Sequence, residues 1–175
     1  MGFFDFIRNK IFTSRQTIIP SNKQAIGNLD IRGSLCTLTS QQLIEKYFTN
    51  QENTFVVDSQ YGVATKGWFE EEMFKFFEDE MKRRDIWKYS ESNDCDNFAW
   101  EFRNCCNWAN ALDGEIPSIA VGTIYYKQDY GSGHAINIAI VQENGSLVKK
   151  YIEPQSPDFV TLTESEEKSI IFVHF

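Results

Sequence analysis

Residues 133–153 read GHAINIAIVQENGSLVKKYIE, and this stretch decides the fold. Isoleucines alternate with other residues after His134, which is typical of a strand with two distinct faces. Asn144-Gly145 then gives a strong signal for a tight hairpin turn, and a second strand runs on to Glu153. A two-residue loop would place His134 opposite Gln155 and on one face with Glu153. A loop one residue longer would reverse that assignment.

Helical patterns precede this hairpin, and further strands surround it. Helices are predicted from Thr39-Ser40, over about 68–84 and over about 94–111. The predicted strands lie near 55–57, 61–63, 119–126, 134–141, 147–153 and 169–175. Helices followed by a run of neighbouring strands favour an α+β fold with an antiparallel sheet.

Composition sets limits on the class of protein. The chain has 175 residues, of which 42% are hydrophobic and 15% aromatic, enough for one packed domain. Its net charge of -8 argues against nucleic-acid binding. Neither a transmembrane segment nor a signal peptide is predicted, so we expect a cytoplasmic or virion-associated protein. The four cysteines form no CxxC pair, so the sequence itself requires no metal or other cofactor.

Residues 1–34 differ in composition from the remainder of the chain. Residues 3–12 carry apolar side chains at helical spacing, which predicts an amphipathic arm that docks on its own domain or on another subunit. Residues 13–34 are polar and contain Pro20, Gly27 and Gly33, as in an irregular connector. We therefore divide the chain into residues 1–34, arm and connector, and residues 35–175, the domain. Residues 1–12 are a candidate surface for protein assembly.

Cys95 is the first candidate for chemistry. Asn93 or Asp94 is a suitable N-cap, which places Cys95 in the first turn of a helix. There the helix dipole stabilises a thiolate, while the carboxylates of Asp94 and Asp96 oppose it. Considered alone, such a cysteine is most often a buried structural thiol.

His134 is the second candidate. Gly131 and Gly133 allow a sharp entry into its strand, and either Glu153 or Gln155 could orient the imidazole. A histidine at a strand end is by itself an ordinary feature, and His174 is interpreted as the polar side of a terminal strand. A cysteine and a histidine oriented by a third group form the general arrangement for thiol nucleophilic catalysis.

Three motifs in order resemble a known family. Asp94-Cys95-Asp96-Asn97-Phe98-Ala99, Gly133-His134-Ala135-Ile136-Asn137 and Tyr151-Ile152-Glu153-Pro154-Gln155 are similar to the C-terminal domain of the Marasmius-type fungal agglutinin and its stand-alone bacterial and phage relatives. The similarity spans roughly residues 55–160. It does not include the agglutinin's sugar-binding domain, so lectin activity is not implied.

The resemblance implies a papain-like, calcium-dependent cysteine protease domain. Cys95 would be the nucleophile, His134 the general base and acid, and Glu153 the orienting carboxylate. One oxyanion donor would be the backbone N–H of Cys95. The second donor stays open among Tyr89, Asn93 and Gln60. No calcium loop of the Asp-x-Asp-x-Asp-Gly kind is present in the sequence.

Two functions follow as hypotheses. The first is hydrolysis of a peptide or amide bond by Cys95, with a peptide or a peptidoglycan-like polymer as the substrate. The second is a catalytically idle domain of the same fold that serves as a phage virion, cargo or interaction protein. The rate at which Cys95 reacts with a thiol-directed probe distinguishes them.

Overall fold

A computed structural model describes residues 36–48, 53–111 and 117–175. The predicted arm, residues 1–12, and the predicted connector, residues 13–34, lie outside the described residues. The division of the chain at residue 35 therefore stays a prediction.

The helices lie close to where the sequence predicts them. Thr39 caps α1 (Ser40–Tyr47), and its side chain and that of Gln42 bond each other's backbone N–H groups. The helix predicted over 68–84 consists of α2 (Lys66–Trp68), a π-helical turn (Phe69–Met73) and α3 (Phe74–Arg83). α4 spans Cys95–Ala111, as predicted. A short helix, α5 (Glu164–Lys168), lies within a segment for which the sequence predicts no helix.

The described strands form two sheets. β1 (Cys36–Thr39) and β3 (Gln60–Val63) pair in a small antiparallel sheet. The larger sheet has the order β2-β8-β4-β5-β6-β7. Its strands are β2 (Thr54–Phe55), β4 (Val121–Lys127), β5 (Gly133–Glu143), β6 (Ser146–Glu153), β7 (Asp158–Val160) and β8 (Phe172–His174).

The central hairpin has the predicted register. Asn144 and Gly145 form its loop with positive φ angles of 51° and 77°, which is the conformation that an Asn-Gly turn favours. Glu143 pairs with Ser146, and Asn137 pairs with Ile152. His134 and Glu153 therefore lie on the same face, because side chains alternate along each strand.

Apolar side chains fill both faces of the larger sheet. On one face, α3 and α4 bury Phe77, Phe98 and Phe102 against Ala139 and Val141 of β5. The opposite face covers a second core that includes Ile136, Ile138 and Ile140. The two clusters use alternate residues of the same strand, as the sequence of β5 predicts.

The predicted fold class needs correction. The sheet is mixed, because β2 runs parallel to β8, so an entirely antiparallel sheet was the wrong prediction. β8 lies between β2 and β4 and is not at an edge. A pairing between strands so distant in sequence has no local signal, and strand patterns alone could not reveal it.

Candidate functional site

Cys95 lies where α4 begins, beside the start of β5. The N–H of Asp94 donates to Oδ1 of Asn97 at 3.3 Å, and the N–H of Phe98 donates to the carbonyl of Asp94 at 3.1 Å. Of the two caps that the sequence allows, Asn93 and Asp94, it is thus Asp94 that directly precedes the helix. The amide of Asn137 donates to the carbonyl of Ala99 at 2.8 Å and fixes α4 on β5. Cys95 is partly buried at this junction.

Electrostatics around Cys95 oppose ionisation of the thiol. Burial raises the pKa of Cys95, and the neighbouring carboxylates of Asp94 and Asp96 raise it further. Hydrogen bonds from the backbone of Ala135 and Asp96 lower the pKa but do not outweigh these effects. The sequence alone does not decide whether the pKa of Cys95 is raised or lowered. In the structure it is raised, which favours the protonated thiol. Since the thiolate is the nucleophile, a raised pKa lowers the fraction of reactive thiolate at neutral pH.

His134 and Glu153 form a direct pair. Nε2 of His134 lies 2.7 Å from Oε2 of Glu153, and both side chains are mostly buried. Oε1 of Glu153 accepts the backbone N–H of Gln155 at 3.0 Å. Of the two candidates for orienting the histidine, Glu153 therefore contacts the ring, and the backbone of Gln155 holds Glu153.

Strand alternation places the side chain of His134 on the face of β5 that α4 does not cover. His134 belongs to the face that carries Ile136 and Ile138, whereas Ala135 and Asn137 belong to the face that contacts α4. Across the described ranges, no hydrogen bond joins the Cys95 thiol to the His134 imidazole. The two candidates thus lie at one end of the sheet without forming the bonded pair that thiol catalysis uses.

The candidates for a second oxyanion donor are dispersed. Asn93 donates its amide to the carbonyls of Ile86 and Lys88 and so closes its own loop. Tyr89 is exposed. Gln60 pairs with Thr39 in the small sheet, which meets β4 at its beginning, whereas His134 lies opposite Tyr126 near the end of β4. The structure does not bring Gln60 to the other candidates.

A polar and aromatic cluster surrounds His134 instead. The ring of Tyr126 lies 5.8 Å from that of His134 in an edge-on arrangement. Oε1 of Gln128 accepts the hydroxyl of Ser132 at 2.9 Å and also that of Tyr130. The Tyr130 ring is 78% exposed. We call Tyr126, Gln128, Tyr130, His134 and Glu153 the β4–β5 pole.

The charge at the β4–β5 pole is negative. Burial raises the pKa of Tyr126 to about 12, and the carboxylates of Glu166 and Glu153 contribute to the rise. Asp129 adds a third carboxylate and accepts the hydroxyl of Thr163 at 3.0 Å. An anionic ligand would be repelled here. Sequence reasoning missed Gln128 and Tyr130, although a tyrosine in the Gly-rich turn before His134 was a usable signal.

Two further observations limit the kinds of site. Within the described ranges, no group of three or more histidine, cysteine, aspartate or glutamate side chains is arranged to hold a metal ion. The described helices are all too short or too polar to span a membrane. The calcium dependence that the resemblance implies stays a prediction.

Comparisons with known proteins give a fold likeness only. No family model matches, and no curated protein matches. One similar solved structure, titled "PSL1a-E64 complex", has a TM-score of 0.60 and 19% identity over 79% of this chain. Another is the Polyporus squamosus lectin bound to the human-type influenza-binding epitope Neu5Acα2-6Galβ1-4GlcNAc, with a TM-score of 0.51 and 21% identity over 70% of this chain. The chain spans 50% and 42% of those two chains.

These neighbours contradict the resemblance to a papain-like protease domain. One of them is named as a lectin of Polyporus squamosus. The predicted papain-like α+β class, the cysteine hydrolase function and the peptide substrate are corrected on this finding. Of the two functions predicted from the sequence, the comparisons support the non-catalytic interaction protein better than the hydrolase.

Proposed function

We propose that this chain is a carbohydrate-binding protein and that sugars bind at the β4–β5 pole. One observation carries the proposal: the exposed ring of Tyr130 stands beside fixed side chains that donate and accept hydrogen bonds. The name of one structural neighbour, the Polyporus squamosus lectin, supports it. The proposal reverses the expectation that lectin activity does not extend to this sequence.

The chemistry of the β4–β5 pole suits a sugar. A pyranose has an apolar C–H face and a rim of hydroxyl groups, so it needs an exposed aromatic surface and polar groups beside it. Tyr130 offers the surface. Gln128 has an amide that both donates and accepts, and Glu153 offers acceptor oxygens. The bonds to Ser132 and Gln155 hold Gln128 and Glu153 in place before a ligand arrives.

The negative charge at the β4–β5 pole determines which sugars can bind there. Because Glu153, Glu166 and Asp129 surround the β4–β5 pole, a carboxylate-bearing residue is disfavoured there. We therefore propose neutral sugars as the ligands, such as the Galβ1-4GlcNAc portion of the glycan that the Polyporus squamosus lectin binds.

An NMR titration of the whole chain with Galβ1-4GlcNAc tests this function. We expect saturable shifts of the signals of Tyr130, Gln128 and His134, with a Kd in the millimolar range or tighter. Tyr130→Ala removes the stacking surface and should weaken binding about ten-fold, the equivalent of ~1.4 kcal/mol. Tyr89→Ala is the matched control, because it removes another exposed tyrosine ring, outside the β4–β5 pole.

Three outcomes contradict the proposal. The first is the absence of shifts at the β4–β5 pole for both the neutral disaccharide and its sialylated form. The second is equal weakening by Tyr130→Ala and Tyr89→Ala. The third is a clear preference for the sialylated glycan at the β4–β5 pole, which would refute the argument from charge.

A further inference from the structure

An exposed group of aromatic rings lies at the edge of the larger sheet, where β2 pairs with β8. Phe55 and Tyr125 each pack against Phe172, with 5.5 Å between ring centroids. Trp100 of α4 donates its indole N–H to the hydroxyl of Tyr125 at 3.1 Å. Phe55 is 52% exposed, and Val57 is 64% exposed. We call Phe55, Val57, Trp100, Tyr125 and Phe172 the aromatic patch.

The aromatic patch lies on the face of the sheet that carries α4. Val56, between Phe55 and Val57, packs against the core of the opposite face. Val173, which follows Phe172, is buried in that same core. Strand alternation therefore turns the patch toward the α4 side. Because α4 packs on β4 and β5, whereas β8 and β2 continue to the sheet edge, the patch presents apolar side chains to an incoming partner.

Acidic side chains border the aromatic patch. Asp58 directly follows the patch in sequence and is exposed. Burial raises the pKa of Tyr125, and the nearby carboxylates of Asp96 and Asp94 contribute to the rise. The guanidinium of Arg103, which lies behind the rings, offsets one of these three negative charges. The patch therefore favours an apolar partner with a positive net charge.

Residues 3–12 of the same chain have both properties. Their sequence, FFDFIRNKIF, contains six large apolar side chains and has a net charge of +1. Helical spacing places Ile7 and Ile11 on one face of this segment and Asn9 on the opposite face. The sequence therefore predicts an apolar surface with basic side chains beside it, which matches the rings and the carboxylates of the aromatic patch.

The chain is long enough to bring residues 3–12 to the aromatic patch. Residues 13–35 separate this segment from β1, which begins at Cys36. An extended chain of that length reaches up to ~80 Å, several times the radius of gyration of about 14 Å expected for a domain of this size. A tether of this kind gives an effective concentration in the millimolar range. In a micromolar solution, docking within one chain is therefore favoured over docking on a second copy.

We propose that residues 3–12 dock through their apolar face on the aromatic patch of the same chain. The segment covers the exposed ring of Phe55, and its basic side chains lie toward the acidic border of the patch. His134 lies on the other face of the sheet, so the docking does not depend on sugar binding at the β4–β5 pole. A tethered segment with millimolar affinity shifts the folding equilibrium by only a few-fold, so folding does not require it.

Photocrosslinking of the whole chain tests the docking. p-Benzoylphenylalanine replaces Ile7 in one variant, and in the matched control it replaces Asn9, on the opposite side of the predicted helix. We expect mass spectrometry to find cross-links from position 7 to Phe55 or Phe172 within one chain, at a much higher yield than from position 9.

Two further variants test the surface. Phe55→Ala should lower the yield from position 7 by about five-fold, because it removes a half-exposed ring that the docked segment would bury. Ile44→Ala removes a partly exposed apolar side chain from α1 and should leave the yield unchanged. Both positions are exposed enough for the variants to fold.

Four outcomes would overturn the proposal. Cross-links between two chains would assign residues 3–12 to a second copy. Cross-links to another surface of the same chain, or equal yields from positions 7 and 9, would refute the assignment of the aromatic patch. The absence of protein cross-links would also refute it, and binding of the chain to anionic lipid vesicles would then assign the segment to a membrane surface. Each result is independent of whether Galβ1-4GlcNAc binds at the β4–β5 pole.

Discussion

Asn137 is a buried polar residue that links three elements. Its amide donates to the carbonyl of Ala99 in α4 at 2.8 Å and to that of Gly122 in β4 at 3.1 Å, while Asn137 itself lies in β5. Buried polar side chains are retained when their hydrogen bonds fix one arrangement of the core. Asn137 therefore sets the position of α4 on the sheet, and with it the position of Cys95.

Replacing this residue should reduce stability. We expect Asn137→Ala to lower the free energy of unfolding by about 1–3 kcal/mol, because two hydrogen bonds and some packing are lost in a buried position. Chemical denaturation followed by tryptophan fluorescence measures the change. Asn104→Ala, at an exposed position of the same helix, should change stability by less than about 0.5 kcal/mol. Similar values for the two variants would show that Asn137 has no linking role.

At Gly122, β4 packs closely against the C-terminal end of β8 and the residue that follows it. A methyl group added there would lie 2.8 Å from the carbonyl oxygen of His174 and 2.9 Å from the ring of Phe175. The first contact is with backbone and the second with a fully buried ring, so neither can move aside easily. The pairing of β4 with β8 depends on the absence of a side chain at Gly122.

Gly122→Ala should therefore destabilise the protein by about 1–3 kcal/mol, as overpacking of a core does. Thermal unfolding followed by circular dichroism is a suitable measurement. Gly133→Ala is the matched control in β5, since an added methyl group would meet nothing within 4 Å. If both variants melt at the same temperature as the unaltered chain, β4 and β8 are less tightly packed than described.

Elements with strong local signals could be predicted from the sequence. Thr39 as a cap, the start of α4 at Cys95 and the register fixed by Asn144-Gly145 all agree with the structure. These features depend on residues a few positions apart. The parallel pairing of β2 with β8 and the contact between Arg103 and His174 depend on distant segments, and no local pattern indicates them.

The candidate site was predictable only in part. The hairpin register placed Glu153 beside His134, because strand alternation is a strict rule. The state of Cys95 was not predictable, because burial depends on the whole fold and the local charges oppose the helix dipole. The motif similarity therefore identified residues that lie near one another but assigned them a chemistry that the comparisons contradict.

On the scale of the whole molecule, the stability of the fold comes from two apolar cores on either side of one sheet. Among the described residues, the buried ones that form these cores lie between Leu38 and Phe175. A chain of residues 35–175 should therefore fold alone, with a melting temperature within about 4 °C of the full chain, equivalent to less than ~1 kcal/mol. Calorimetry of both chains tests this. A much lower melting temperature for the shorter chain would show that residues 1–34 complete a core.

We propose that the end of the sheet with Cys95 and His134 binds a ligand and is not a reactive centre. The most direct measurement is the rate at which iodoacetamide alkylates Cys95 as a function of pH, resolved by mass spectrometry. Because the pKa of Cys95 is raised, we expect slower alkylation at pH 7 than for a free peptide thiol, a rise only in alkaline solution, and no change in His134→Ala. Faster alkylation than the free thiol at pH 7, lost in His134→Ala, would contradict the account.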